Sequence, residues 1–252
     1  MVRDLITGHF SVDRLDYLQR DSHHAGTPEY GIVDNRRILS SPLLHGLGQL
    51  SVYHRRAQYA LEAAILSHFH MYRAVYFHPA VRAAYVSFQK VLWDAFGQRG
   101  PFAGANCWED PRFWEEFDDY KCLSMLWSND GLREGLESLF FRRNLPKMIH
   151  EDELVDDPSR STVKAACEPF SRKLEVERKI VGDIRCKWPD LTICLLDSPT
   201  ISSYLPIPYA EKSIYVWDPE RTPGPELFER KAAYVARLSE AYEVARVYVN
   251  PV

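Results

Sequence analysis

Cysteine is scarce in this chain, with five in 252 residues, and Cys107, Cys122, Cys167, Cys186 and Cys194 form neither a C-x-x-C pair nor a zinc spacing. That pattern excludes a disulfide-stapled secreted fold and points to structural, mostly buried thiols in a reducing cytoplasm. No apolar run approaches the ~18 residues of a spanning helix, and the amino terminus lacks the positive-then-apolar order of a secretory leader. Excess charge is lacking too: a net charge of -4 and a pI near 6.1 leave no footprint for duplex nucleic acid or a membrane surface. Internal repeats and low-complexity tracts are absent. What is present is apolar: 46% hydrophobic content is enough for a substantial core in one or two domains. The expectation is a soluble, cytoplasmic protein.

The most informative stretch is Ser11–Gly26. Read as a helix at about 100° per residue, it places Asp13, Tyr17, Arg20, Asp21 and His24 within one half of the wheel, while Leu15, Leu18 and Ser22 face away. Ser11 is a plausible N-cap and Gly26 a plausible terminator. Solvated helix faces are usually Lys and Glu; this one mixes two spaced carboxylates with Tyr, Arg and His, the groups that hold metals, sugars and phosphates.

The string Asp-Arg-Leu-Asp-Tyr-Leu-x-Arg-Asp-Ser at 13 to 22, with Tyr30-Gly31 and Asp34 after it, resembles the HD-domain phosphohydrolases, specifically the branch containing the deoxynucleoside triphosphate triphosphohydrolases. About fifty residues on, His70-Met-Tyr-Arg-Ala-Val-Tyr-Phe-His78 is similar to the long-helix motif of the same proteins. The resemblance covers the first hundred residues well and the rest loosely. It implies a metal held by one His, an adjacent His-Asp pair and a final Asp that opens the helix; Asp13 matches that final Asp.

The other ligands of the family precede this Asp, no His in this chain is followed by Asp, and twelve residues stand before Asp13. The expectation is therefore the C-terminal part of an HD enzyme carrying one metal ligand of four, a mainly α HD-type core truncated at its N-terminus (1–138) followed by a smaller α+β subdomain (139–252). The parental reaction would be hydrolysis of a (deoxy)nucleoside triphosphate, dependent on a divalent metal (Mn, Mg, Fe or Co), with this chain alone inactive. The alternative is a non-catalytic nucleotide-binding or oligomerisation module. Helices left uncovered in such a truncated core would expose apolar surface, so a homo-oligomer is expected.

At matched positions the resemblance implies that Arg14, where some relatives have Lys, contacts phosphate; that Tyr17 meets phosphate or sugar; and that Asp21 accepts a hydrogen bond from a ribose hydroxyl. Tyr76 would belong to the nucleotide pocket. Position 68 is His where one subgroup has a phosphate-binding Arg, and position 72 is Tyr where that subgroup has His. Tyr72 and Tyr76, at i and i+4, share a helix face and suit either core packing or the pocket. Arg73 suits a phosphate or a carboxylate. Of His23 and His24, which point about 100° apart, at most one serves the Asp13 face; His24 suits hydrogen bonding or substrate contact, with a plain surface role as the alternative.

Elsewhere the pattern predicts a short helix at 34–40, a brief strand pair using Leu47, Leu50, Val52 and Tyr53, and one long helix from Arg55 to Phe77 with Ala57, Ala60, Leu61, Ala64, Ile65, Phe69, Tyr72 and Tyr76 at core spacing. Pro79 opens the next helix. Short helices follow at 110–118, 119–127 and 129–138, then an extended 139–149, an acidic loop at 151–158, a helix at 162–183, strands at 191–197 and 213–217, a helix at 224–242 and a strand at 244–249. Asp118-Asp119 and Asp156-Asp157 read as solvated turns.

Overall fold

The computed structural model describes residues 6, 8–43, 51–97, 100, 102, 111–153, 165–185, 187–201, 214–232 and 242–250. It divides into two compact units: Met1–His78 with Glu153–Asp157 and Pro199–Glu243, and Pro79–Asp152 with Pro158–Ser198 and Val244–Val252. The division does not follow the 138/139 boundary expected from sequence. A mainly helical core followed by an α+β part is nonetheless what the chain forms.

In the first unit, α1 (Val12–His24) is capped by Ser11 Oγ, which accepts from Arg14 N at 3.3 Å, and it buries Leu15, Leu18 and Ser22. The chain leaves it through Gly26 at φ 75°, a left-handed position that favours glycine. A 3₁₀ turn at Pro28–Gly31 leads to α2 (Asn35–Leu39), capped by Asp34. Strand β1 (Pro42–Leu43) pairs antiparallel with β2 (Ser51–His54), so the expected strand pair forms around Val52 and Tyr53; Leu47 and Leu50 lie outside the described residues.

Next comes α3 (Gln58–Met71), which buries Ala60, Leu61, Glu62, Ala64, Ile65, Ser67, His68 and Met71. The single helix expected to Phe77 does not continue as an α-helix. At Tyr72–Tyr76 it widens into a π-helix, in which Phe77 N donates to Tyr72 O at 2.8 Å. Phe69, Tyr72 and Tyr76, expected at core spacing, are only half-buried, and His68 and Met71 take the buried positions.

The second unit starts with α4 (Pro79–Phe96), followed by α5 (Pro111–Glu116), α6 (Asp119–Trp127) and α7 (Asp130–Phe140). Ala95, Leu126 and Leu136 form their buried centre. Asp118, expected to be a solvated turn residue, is instead the N-cap of α6 and accepts from Lys121 N at 2.8 Å. Strand β3 (Lys147–Glu153) extends into the acidic stretch expected to be a loop, and 154–160, with Asp156 and Asp157, lies outside the described residues. The helix expected at 162–183 is set by Pro169, the N-cap of α8 (Phe170–Ile184); strand β4 (Cys194–Asp197) follows.

The chain then returns to the first unit with β5 (Thr200–Ile201), β6 (Ile214–Trp217), β7 (Glu226–Leu227) and α9 (Phe228–Lys231). Residues 226–227, expected to be helical, therefore pair as a strand. Strand β6 runs parallel to β2 in the order β1-β2-β6-β7, which moves 214–217 out of the expected C-terminal subdomain. A single core joins Phe10, Leu15, Ile38, Tyr53, Leu61 and Ile65 with Ile214, Val216 and Phe228.

Strand β8 (Tyr242–Val249) pairs antiparallel with β4 from Cys194↔Val249 to Asp197↔Arg246. In the second unit Arg82 grips Asp197 through two bonds of 2.8 and 2.6 Å, and Arg246 Nε donates to Glu151 at 2.6 Å. Cys122, Cys167 and Cys194 are free thiols; burial pushes Cys167 and Cys194 up to about 11. Cys107 and Cys186 lie outside the described residues. Among the described residues no helix is long and apolar enough to cross a membrane.

Candidate functional site

Three tyrosines and a carboxylate meet where α1 faces the π-helix. The buried Leu15, Leu18 and Ser22 fix the rotation of α1, which leaves Tyr17 and Asp21, one turn apart, on its other side. Tyr76 donates its hydroxyl to Asp21 Oδ2 at 2.6 Å. Its ring meets Tyr17 edge-on at 6.4 Å and Tyr72 edge-on at 4.9 Å. Burial, and then the neighbouring Tyr72, pushes Tyr17 up to about 12. Tyr76 is also raised, by burial first and by its bond to the Asp21 carboxylate second. The Tyr17 and Tyr76 phenols thus stay protonated at neutral pH, and Tyr76 donates to Asp21. Asp21 keeps a second carboxylate oxygen with which to accept from a ligand hydroxyl.

Behind this group the buried His68 lies against Tyr72, with ring centroids 4.5 Å apart and a tilt of 35°. Burial, then the Arg14 guanidinium and His9, pushes His68 down to about 3, so it is neutral at pH 7. The charge of Arg14 thus acts on both His68 and Tyr17.

The back of α1 is held by several bonds. Gln19 donates to Val33 O at 2.9 Å, and Asn35 donates to Leu15 O at 3.3 Å. Gly31 approaches α1 so closely that a Cβ there would stand 1.8 Å from Ser22 Oγ. Tyr30 beside it stacks on His70 at 5.5 Å, and its carbonyl accepts a short hydrogen bond from Ser67 Oγ.

Of the residues singled out in sequence, Arg14, Tyr17, Asp21, Tyr72 and Tyr76 come together. Arg20 does not join them; it pairs with Asp16 on the exposed face. His24 is exposed and meets only His23 among the rings named, at 5.4 Å. Arg73 is exposed on the π-helix, and Arg73 Nη2 lies 2.6 Å from Glu153 Oε1. Asp13 is exposed in the first turn of α1. Among the described residues no three His, Cys, Asp or Glu side chains gather to hold a metal, and one exposed carboxylate does not make a site for the divalent ion that the resemblance implies. The part played by His68, Gly31 and Glu153 was not foreseen. For His68 the signal was its i, i+4 spacing from Tyr72; for Glu153 no local signal exists.

No family model matches the chain. It is 40% identical over 82 residues to an uncharacterized protein of Methanocaldococcus jannaschii, which is 32% of this chain and 18% of that protein. It is 38% identical over 91 residues to the uncharacterized protein YwfO of Bacillus subtilis, 36% of this chain and 20% of that one. Each match thus spans about a fifth of the relative's length. Among solved structures, a hypothetical protein from Aquifex aeolicus superposes with a TM-score of 0.66 at 24% identity, over 98% of this chain and 56% of that one. A phosphohydrolase from Bacteroides thetaiotaomicron superposes with a TM-score of 0.58 at 18% identity, over 99% and 64%. The fold is shared. At these identities the likeness is one of fold, and one of the two proteins that carry it is named a phosphohydrolase.

Proposed function

We propose that this chain supplies the sugar-and-phosphate wall of an HD-type nucleotide phosphohydrolase of the deoxynucleoside triphosphate triphosphohydrolase-like branch. The observation that carries the reading is the Tyr76–Asp21 hydrogen bond, which joins the two motif-bearing segments into one polar, aromatic-walled surface. Asp21 accepts from a sugar hydroxyl with its remaining oxygen, the edge of Tyr76 packs on the sugar ring, and Tyr17 donates toward phosphate. Arg14 supplies charge for phosphate oxygens, as does Arg73, and His24 contacts the ligand from the end of α1. Packing of Tyr76 against C2′ separates deoxyribose from ribose. Asp13 is the one metal ligand this reading assigns, and the shared fold with a named phosphohydrolase supports the hydrolase class.

Binding is the direct test. Titration of the isotope-labelled chain with dGTP is expected to perturb resonances of α1 and of Tyr72–Tyr76, with a Kd between roughly micromolar and millimolar, or about 4 to 8 kcal/mol, and GTP is expected to bind more weakly. Asp21→Ala is expected to weaken dGTP binding about tenfold, a charge-assisted hydrogen bond's worth, while the exposed Glu175→Ala on α8 leaves it unchanged. If dGTP leaves both segments unperturbed, or if Asp21→Ala binds as well as the parent, the assignment is wrong.

A further inference from the structure

The Arg73–Glu153 pair ties the π-helix to a strand end 80 residues away in sequence. Both side chains are about half exposed, at 53% and 47%. Arg73 stands second in Tyr72–Tyr76, between two residues of the candidate site, on a flexible side chain. The neighbouring carboxylates of β3 have other partners. Glu151 accepts from Arg246 and Asp152 meets His150 at 2.7 Å, while Glu153 meets Arg73.

We propose that Glu153 is a resident competitor for phosphate at Arg73. It occupies the guanidinium with a carboxylate when no nucleotide is bound and yields it to a phosphate group on binding, which makes Glu153 a determinant of how strongly the site favours phosphorylated ligands over nucleosides. This rests on the nucleotide reading of the site above. The chemistry is symmetrical: carboxylate and phosphate oxygens present the same charge and the same acceptors to a guanidinium fork, and phosphate, with more oxygens and charge, is the stronger partner. An exposed ion pair is held weakly, by no more than about a fivefold factor in an equilibrium, so it exchanges readily yet still opposes binding. The negative charge of Glu153 beside a bound polyphosphate adds repulsion to that opposition.

The test uses the full chain with two ligands, dGTP and deoxyguanosine, measured by calorimetry or NMR titration. Glu153→Gln keeps length and polarity while removing the charge. It is expected to tighten dGTP about fivefold, to leave deoxyguanosine unchanged, and to lose most of its gain at 0.5 M salt, where exposed charges are screened. Arg73→Ala is expected to weaken dGTP but not deoxyguanosine, and in the Arg73→Ala, Glu153→Gln double variant the gain from Glu153→Gln is expected to vanish. The proposal is overturned if Glu153→Gln leaves dGTP affinity unchanged, if it tightens both ligands alike, or if its gain survives in the double variant. Failure of the parent chain to bind either ligand would instead overturn the nucleotide reading, and this proposal with it.

Discussion

Gly31→Ala is expected to destabilise the chain by about 3 kcal/mol, the upper range for forcing a methyl group into a closed site. A Cβ at Gly31 would lie 1.8 Å from Ser22 Oγ, 2.7 Å from Ser22 Cβ and 2.8 Å from Leu18 O. None of these atoms is the free end of a long side chain. Ser22 is buried and its hydroxyl donates to Gln19 O at 2.9 Å, while Leu18 O belongs to the backbone of α1. Relief therefore requires the Pro28–Gly31 turn to move away from α1. That turn is fastened on its other side to α3 by the Tyr30–His70 stack and the Ser67 bond to Tyr30 O, so the displacement reaches the helix that carries Tyr72 and Tyr76. Denaturant unfolding is expected to show the loss of stability, and the Tyr76–Asp21 contact should loosen even below the transition. Ser22→Gly in the same chain removes the two closest atoms but leaves Leu18 O and puts a glycine within α1, which costs about 1 kcal/mol, so only partial recovery is expected. A Gly31→Ala chain within about 0.5 kcal/mol of the parent would show that the turn gives way freely.

What the sequence disclosed follows from the range of the interactions involved. The bounds and buried face of α1 were legible because a capping serine, a 3.6-residue period and a terminating glycine are all local. The helices α6 and α7 were legible as short helices, but their caps were not: Asp118 read as a solvated turn residue, and Asp118 and Asn129 cap the two helices. The π-helix was not: Tyr72 and Tyr76 keep helical spacing whether or not the turn widens, and no residue type there demands the change. The β2–β6 pairing was also hidden, since Ser51–His54 and Ile214–Trp217 read only as isolated strands, and which strand a segment joins depends on a core assembled from both. At the candidate site the residue types on α1 were visible as a face, but their meeting with Tyr76 was implied by resemblance and not by any pattern. The Arg73–Glu153 contact was invisible, because an acidic stretch far along the chain carries no sign of which cation it will meet.

Acid is expected to destabilise the native state through His68. Its native pKa is pushed down to about 3 from an ordinary 6.5, by burial first, then by the Arg14 guanidinium and His9. The unfolded chain binds a proton at His68 as pH falls below about 6.5, whereas the native state refuses it until near pH 3. The contribution is thus fully present above pH 6.5 and is lost progressively as pH falls toward 3, at about 1.4 kcal/mol per pH unit, or about 3 kcal/mol between pH 6 and pH 4. Carboxylates titrate in the same range, so the measurement is a difference. His68→Phe keeps an aromatic ring against Tyr72 and cannot be protonated, and its stability is expected to fall between pH 6 and pH 4 with a slope smaller by about one proton than that of the parent. The same comparison has a direct readout in the ring: the His68 Cε1 proton should show no titration between pH 5 and pH 8. Equal slopes in the two chains, or a His68 resonance titrating near 6.5, would show that the ring behind Tyr72 is reached by water and that the cluster of Arg14, His68 and Tyr72 is not closed as described.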